Sequence, residues 1–294
     1  MFGFLNVDKA KHKTSRQVVT AVQKLCKPFK VGHAGTLDPL ATGVLVICIG
    51  PATRLTKHAQ ALPKTYLASF RLGLESDSED IFGEITDLVD PPVVSQGDIE
   101  AVLPEFIGNI EQMPPKFSAL KVNGKRAYQL ARKGAEFQLE PRQILIEDIR
   151  FRSLNYPDFQ IEIQCGSGTY VRSLGRDIGR RLGSGAVMTA LQRSSIGGFD
   201  VGQALHSDEI SPETIENHLV KPQDFITGLD YVAVSDEQLG RFANGHVWVP
   251  PAPIDSQEVG AVDASGRLLA VLNRRSPEKY TPKTNFSHYW LERS

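Results

Sequence analysis

The run Val44-Leu45-Val46-Ile47-Cys48-Ile49 leaves this chain little freedom. A continuous apolar stretch rich in β-branched residues has no face to give to water, so it specifies a buried strand. The segment leading into it, from Val31 to Gly43, surrounds a single carboxylate, Asp38, with small residues. Gly32 and Gly35 let the backbone take φ > 0 and approach a ligand closely. Pro39 fixes its own φ and restricts Asp38 before it. A lone charge in a loop fixed against a buried strand is where chemistry is expected, although Asp is also a common turn residue.

The 294 residues suffice for one large domain and a small one. No apolar run reaches membrane-spanning length, and the Met1–Val7 start is too short for a signal peptide. Three cysteines, Cys26, Cys48 and Cys165, are odd in number and lack ligand spacing, as in a reducing, cytoplasmic compartment. The net charge of −1 conceals blocks: +8 over 1–64, −10 over 65–111, +7 over 112–193 and −6 over 194–294. Two basic blocks separated by acidic ones suit a polyanion footprint on one face, though charge blocks also arise as solvated faces.

Along the chain, Phe2–Val7 reads as a strand, and Thr14 with Gln17 forms a capping box for a helix to about Leu25. Val18, Val19, Val22 and Leu25 share one face of that helix. Lys64–Gly73 alternates as a strand. A helix is expected from about Asp98 to Ile107, kinked near Pro104. A turn at Asn123-Gly124 precedes a short basic helix ended by Gly134. Ile144–Phe151 and Phe159–Cys165 pair around Asn155-Tyr156-Pro157-Asp158. A helix with Leu174, Ile178 and Leu182 on one stripe and Arg172, Arg176 and Arg180 on another follows. Of these arginines, only Arg172 opens the helix directly after a glycine-bearing strand end, and Arg176 and Arg180 are expected to be solvated. The acidic cluster Glu75–Asp80 lacks the alternating ligands and downstream Glu of a calcium loop, so no metal is expected there. It is expected to repel misplaced polyanions or to hold basic groups within the fold. Beyond about 230, Val259–Val271 reads as a hairpin turning at Ala264-Ser265-Gly266, within a small β-rich domain.

Gly32-His33-Ala34-Gly35-Thr36-Leu37-Asp38-Pro39-Leu40-Ala41-Thr42-Gly43-Val44-Leu45 resembles the catalytic segment of the TruB family of tRNA pseudouridine synthases, G-H-x-G-x-L-D-P-x-A-x-G-x-L, whose Asp is catalytic. Further stretches, spanning roughly residues 4 to 200, resemble the family in order. They are Gly50-Pro51-Ala52-Thr53-Arg54, the Lys64-Thr65-Tyr66 motif, Asp77–Gly83, the Pro114–Arg132 block, Gly168-Thr169-Tyr170-Val171-Arg172 and Leu191-Gln192-Arg193. Near the start the chain keeps Lys9, Thr14 and Ser15 but has Ala10 and His12 where the family usually has proline and glycine, which puts that loop's conformation in question.

The resemblance implies an α+β pseudouridine synthase fold, a mixed but mostly antiparallel sheet flanked by helices, with a small β-rich PUA-like C-terminal domain. It implies a catalytic domain over 1–228, with an RNA-clamping insertion at about 112–142, and a second domain over 229–294. That tail is net acidic, which weighs against strong RNA binding by it. The implied activity is conversion of uridine 55 in the T loop of elongator tRNAs to pseudouridine, by a monomer acting on the T-arm stem-loop. This isomerisation requires neither cofactor nor metal.

Asp38 would attack C1′ or C6, or act as base at C2′. An ion pair with Arg172 would keep it ionised. The resemblance also implies a functional role for Tyr66, which would stack on the base or move a proton, although a tyrosine at a strand start is more often packing. The expected RNA contacts are His33, filling the space of the extruded base, with Gly32, Lys9, Tyr170, Leu191, Lys121 and Arg132. Two other functions fit some of the same residues: a non-catalytic tRNA-binding or folding protein, and an N-glycosidase releasing free uracil.

Overall fold

Residues 1–122 and 124–293 are described by the computed structural model of the chain. In chain order the principal elements are β1 (Gly3–Lys9), α1 (Ser15–Leu25), β2 (Val31–His33), β3 (Thr42–Ile49), β4 (Lys64–Leu72), β5 (Gly108–Gln112), β6 (Arg142–Asn155), β7 (Asp158–Cys165), α2 (Val171–Arg181) and β8 (Ala186–Ile196). They form a sheet in the order β1-β3-β8-β4-β7-β6-β5, with Leu205–His206 added parallel to the outer edge of β1.

The apolar run lies in β3 and is fully buried from Val44 to Ile49. Alternate side chains enter two cores. Leu45, Ile47 and Ile49 pack with Val18, Val19 and Val22 of α1, whereas Val44, Val46 and Cys48 pack with Phe4, Leu55 and Phe225. Each such side chain contributes about 1.5–3 kcal/mol relative to an exposed position.

Neighbouring strands on the main path are antiparallel, with one exception. β3 runs parallel to β8 and meets it only through Gln192↔Thr42 and Arg193↔Gly43. The sheet is therefore narrowly joined where the strand after Asp38 meets the strand carrying Leu191 and Arg193. Gly43 permits the contact. Its φ is +94°, and a Cβ there would lie 2.3 Å from the Arg193 carbonyl oxygen.

A second sheet contains β9 (Asp230–Ala233), β10 (Glu258–Val262), β11 (Leu268–Ser276) and β12 (Lys279–Asn285) in chain order. Its β10–β11 turn is closed by the Asp263 carboxylate, which accepts from Ser265 N–H at 3.0 Å and Arg267 N–H at 2.9 Å, with Gly266 at φ +73°. Leu268, Val271 and Phe286 enter the same core as Phe2, Phe4 and Val46, so this β domain is packed onto the main sheet. No helix among the described residues is long and apolar enough to cross a membrane.

Two local expectations change, and a third lies partly outside the described residues. The helix expected from Asp98 to Ile107 is an α-helix over Gln96–Val102 followed by a 3₁₀ turn over Leu103–Phe106, because Pro104 removes a donor and its ring displaces the preceding turn. Leu25 is 38% exposed at the end of α1 rather than part of its buried face. In the turn expected at Asn123-Gly124, Asn123 lies outside the described residues, and Gly124 has φ +80°.

Candidate active site

The Asp38 loop is held from several sides. Ser15 Oγ donates to the Leu37 carbonyl at 3.0 Å and accepts from Leu37 N–H at 2.9 Å. Ala34 N–H donates to the Val46 carbonyl, and Ala41 N–H to the Asp38 backbone carbonyl. Asp8 accepts from Gly43 N–H at 3.0 Å. His12 N–H donates to the Pro39 carbonyl at 2.8 Å, with His12 itself at φ +69°. Where the family usually has glycine, this histidine thus adopts the left-handed backbone that glycine favours.

Two expected contact residues are placed differently. Gly35 has φ +105°, but Gly32 lies in β2, paired with Cys48 and outside the positive-φ region, so it behaves as an ordinary strand residue. Lys9 is fully buried, and its ammonium donates to the Ala10 carbonyl at 3.0 Å and the Lys13 carbonyl at 2.7 Å. It fastens the Ala10–Lys13 loop from beneath and has no surface to offer RNA. Burial lowers its pKa to about 8, partly opposed by Asp38.

Across the loop, Arg172 opens α2, and its Nε lies 2.9 Å from Asp38 Oδ2, the ion pair expected from its position. Arg172 is 5% exposed, and its remaining N–H groups donate to the Ser78 carbonyl at 2.8 Å and the Phe117 carbonyl at 3.2 Å. Asp80 lies 3.7 Å from the same guanidinium. Arg176 is not solvated: it pairs with Glu79 and Asp177 and donates to the Met113 carbonyl at 3.0 Å. Glu79 also accepts from Ser173 Oγ at 2.5 Å. The acidic cluster is therefore partly consumed in holding Arg172 and Arg176 of α2, which fixes the guanidinium that faces Asp38. Arg180 is exposed, as expected.

Beside Asp38 lies a cavity of about 350 Å³ lined by Tyr66, Tyr170, Arg172, Leu191 and Arg193. Tyr66 and Leu191 are each 8% exposed, on the adjacent strands β4 and β8. Burial raises the Tyr66 pKa, with Arg193 pulling the other way, so its phenol keeps its proton at neutral pH. Tyr170 is anchored by its backbone, whose N–H donates to Gln112 Oε1 at 2.9 Å.

Arg193 is the residue missed by sequence reasoning. It is 1% exposed, donates from Nε to the Val44 carbonyl at 2.7 Å and from Nη2 to Gly35 at 3.2 Å, and places a second fixed cation in the cavity. The available signal was its spacing from Leu191, since residues two apart share a face of a strand. Lys64, also buried in this lining, donates to the Leu62 carbonyl at 2.6 Å, and burial lowers its pKa to about 8.

Outside this cavity is an open cleft of about 830 Å³ shared by Asp38, His33, Phe82, Arg16, Arg126 and Arg132. Burial, then the neighbouring Arg193, holds the His33 pKa below the usual imidazole range, so the ring is neutral at pH 7. Arg132 is exposed, with its guanidinium carbon 5.7 Å from the Tyr128 ring centroid. Lys121 is also exposed, on a two-stranded hairpin with Lys125–Arg126, and lines neither cavity.

Comparison with known proteins matches residues 23–171 to the TruB family pseudouridylate synthase N-terminal domain. The chain is 38% identical over 280 residues to tRNA pseudouridine synthase B of Synechocystis sp., covering 92% of this chain and 94% of that protein. It is 40% identical over 255 residues to the Staphylococcus haemolyticus protein of the same name, covering 83% and 84%. Against the Dehalococcoides mccartyi protein it is 36% identical over 292 residues, covering 97% of both. Among solved structures, a chain of a Cbf5-Nop10-Gar1 complex superposes with TM-score 0.72 at 24% identity, covering 97% of this chain and 84% of that one, a likeness of fold.

Proposed function

We propose, from the premise that this chain belongs to the TruB family of pseudouridylate synthases, that it converts uridine 55 in the T loop of elongator tRNAs to pseudouridine. It is an isomerase that forms pseudouridine in tRNA. In that reaction the N1–C1′ bond breaks, the uracil turns, C5 bonds to C1′, and the C5 proton is lost as N1 gains one. The observation that carries the site assignment is the 2.9 Å pair between Asp38 and an almost fully buried Arg172.

A carboxylate held beside a fixed guanidinium stays ionised and oriented without reorganisation during the reaction. Asp38 acts on the extruded nucleotide as nucleophile or base. Tyr66, protonated and at the wall of the cavity, packs against the uracil and is placed to move a proton. Leu191 supplies the apolar side of the pocket, and Arg193 steadies negative charge on the base. The neutral His33 ring fills the gap left by the flipped uridine.

The T-arm stem-loop occupies the outer cleft. The insertion over about 112–142 closes on it through Arg132 and Lys121, contacts that position the RNA backbone without reading sequence. Catalysis belongs to 1–228. The 229–294 domain is PUA-like, and its contribution to RNA affinity is small because it is net acidic. The protein acts as a cytoplasmic monomer.

The test is to incubate the protein with unmodified elongator tRNA and with the isolated T-arm stem-loop, then map pseudouridine at nucleotide resolution. Modification confined to position 55 in both is expected. Modification at another position, or release of free uracil, would overturn the reading.

A further inference from the structure

At the rim of the outer cleft the His12 imidazole stacks on the Phe82 ring, with centroids 6.0 Å apart and planes inclined by 29°. His12 occupies a left-handed backbone conformation that is costly for a residue with a Cβ. Phe82 is 55% exposed. A large aromatic ring left half in water, beside a histidine at a position that favours glycine, is not required by the packing of either core, since neither ring belongs to one.

The backbone that carries each ring is nonetheless bonded in place. His12 N–H is bonded to the Pro39 carbonyl, one residue from Asp38. Phe82 N–H donates at 2.9 Å to Asp80 Oδ1, and the other Asp80 oxygen faces Arg172. Ile81 N–H donates to Met188 of β8. The pair is thus tied from both sides to the framework that positions the Asp38–Arg172 ion pair. Phe82 lines the same cleft as Asp38 and His33, along with Arg16, Arg126 and Arg132, which suit a polyanionic chain.

We propose that His12 and Phe82 form a second stacking platform, which receives an unpaired nucleobase of the substrate RNA other than the uridine being isomerised. This rests on the RNA-modifying reading above. Every base offers a π face, so a flat, fixed aromatic surface beside basic side chains captures a single-stranded nucleotide without hydrogen-bond readout. Its effect would be on RNA affinity and on holding the loop open, with the chemistry left to Asp38.

The test uses the full-length protein and a T-arm stem-loop, together with a set of the same RNA in which each unpaired loop nucleotide other than the target is made abasic in turn. Dissociation constants and single-turnover rates at saturating protein are measured for wild type, Phe82→Leu, Phe82→Trp and His12→Gly. Leucine keeps apolar bulk without a flat ring. Glycine suits the backbone at position 12, so loss of affinity in His12→Gly is not a folding defect if its melting temperature is not lowered.

Phe82→Leu is expected to weaken binding by about five-fold to a hundred-fold, with the saturated rate within about two-fold and Phe82→Trp binding as wild type. One abasic RNA should bind wild type and Phe82→Leu equally, which identifies the stacked nucleotide. Unchanged affinity in Phe82→Leu and His12→Gly, or the same fold loss against every abasic RNA, would overturn the platform while leaving the proposed activity standing. Wild type that fails to isomerise the intact stem-loop would remove the reading of function and the platform together.

Discussion

The two walls of the outer cleft are built differently. The Asp38 loop is bonded to Ser15 and His12, enters the fully buried β3, and faces an arginine held by two carbonyls and two carboxylates. Opposite it, Arg126, Tyr128 and Arg132 line the cleft from a segment made of a two-residue-per-strand hairpin and a single helical turn, in which Arg126, Arg132 and, away from the cleft, Lys121 and Lys125 are exposed. Among that segment's described residues, Ala127 is the one fully enclosed. The difference separates two tasks. Chemistry requires groups fixed within a fraction of an ångström, which buried, bonded elements supply. Capture of a folded RNA requires mobile charge at the surface, which a lightly packed segment can offer.

If this division holds, the largest effect comes from Arg172→Met, which leaves Asp38 and the buried Asp80 without their counter-ion. A stability loss of about 3 kcal/mol in urea denaturation is expected, with single-turnover rate falling about 100-fold or more. Next, Gly43→Ala should cost about 2–3 kcal/mol, because it combines a left-handed φ with a clash at the Arg193 backbone. Gly134→Ala, at φ +64° in the insertion with no neighbour near its Cβ, should cost only about 1 kcal/mol. Equal losses at the two glycines would erase the contrast between the walls.

On the other wall, replacing Lys121 and Arg132 together by alanine should weaken tRNA binding several-fold and lower the salt dependence of log K by up to about 2. Melting temperature and the saturated rate should stay unchanged, as filter binding at several salt concentrations and rapid-quench assays would show.

A further effect concerns Lys9. Its pKa is about 8 in the folded protein, against 10.5 as the unperturbed value. Between those values the unfolded chain binds more protons, so stability contributed by this group rises with pH. The stability of wild type relative to Lys9→Met should therefore increase by about 1–2 kcal/mol from pH 8 to pH 10. A flat or falling difference would mean that the buried amine is not desolvated.

Much of this was legible in the chain. An uninterrupted apolar run can only be a central strand, so β3 and the loop before it were readable, as was the Thr14 capping box. Arg172 was legible because a single arginine opens α2 beside the glycine-bearing strand end. What failed depended on tertiary burial, which residue type does not disclose. Lys9 and Arg176 carry charges usually given to water, yet each is enclosed because carbonyls or carboxylates from distant segments meet it. Arg193 went unassigned for the same reason: its partners, Gly35 and Val44, lie about 150 residues away in sequence. Of the two glycines before Asp38, Gly35 uses the positive φ that glycine permits and Gly32 does not, a difference that residue type leaves open. The sharing of one core by the two sheets could not be seen from sequence, because Phe2 and Phe286 meet from opposite ends of the chain.

Asp38 is the group proposed to do chemistry on the uridine. Tritium release from tRNA labelled at uridine C5 tests it most directly, with wild type and Asp38→Asn compared at saturating protein alongside their tRNA affinities. The prediction is a loss of release of about 1,000-fold or more in Asp38→Asn, with affinity changed by less than about two-fold. Release at the wild-type rate from Asp38→Asn would contradict it.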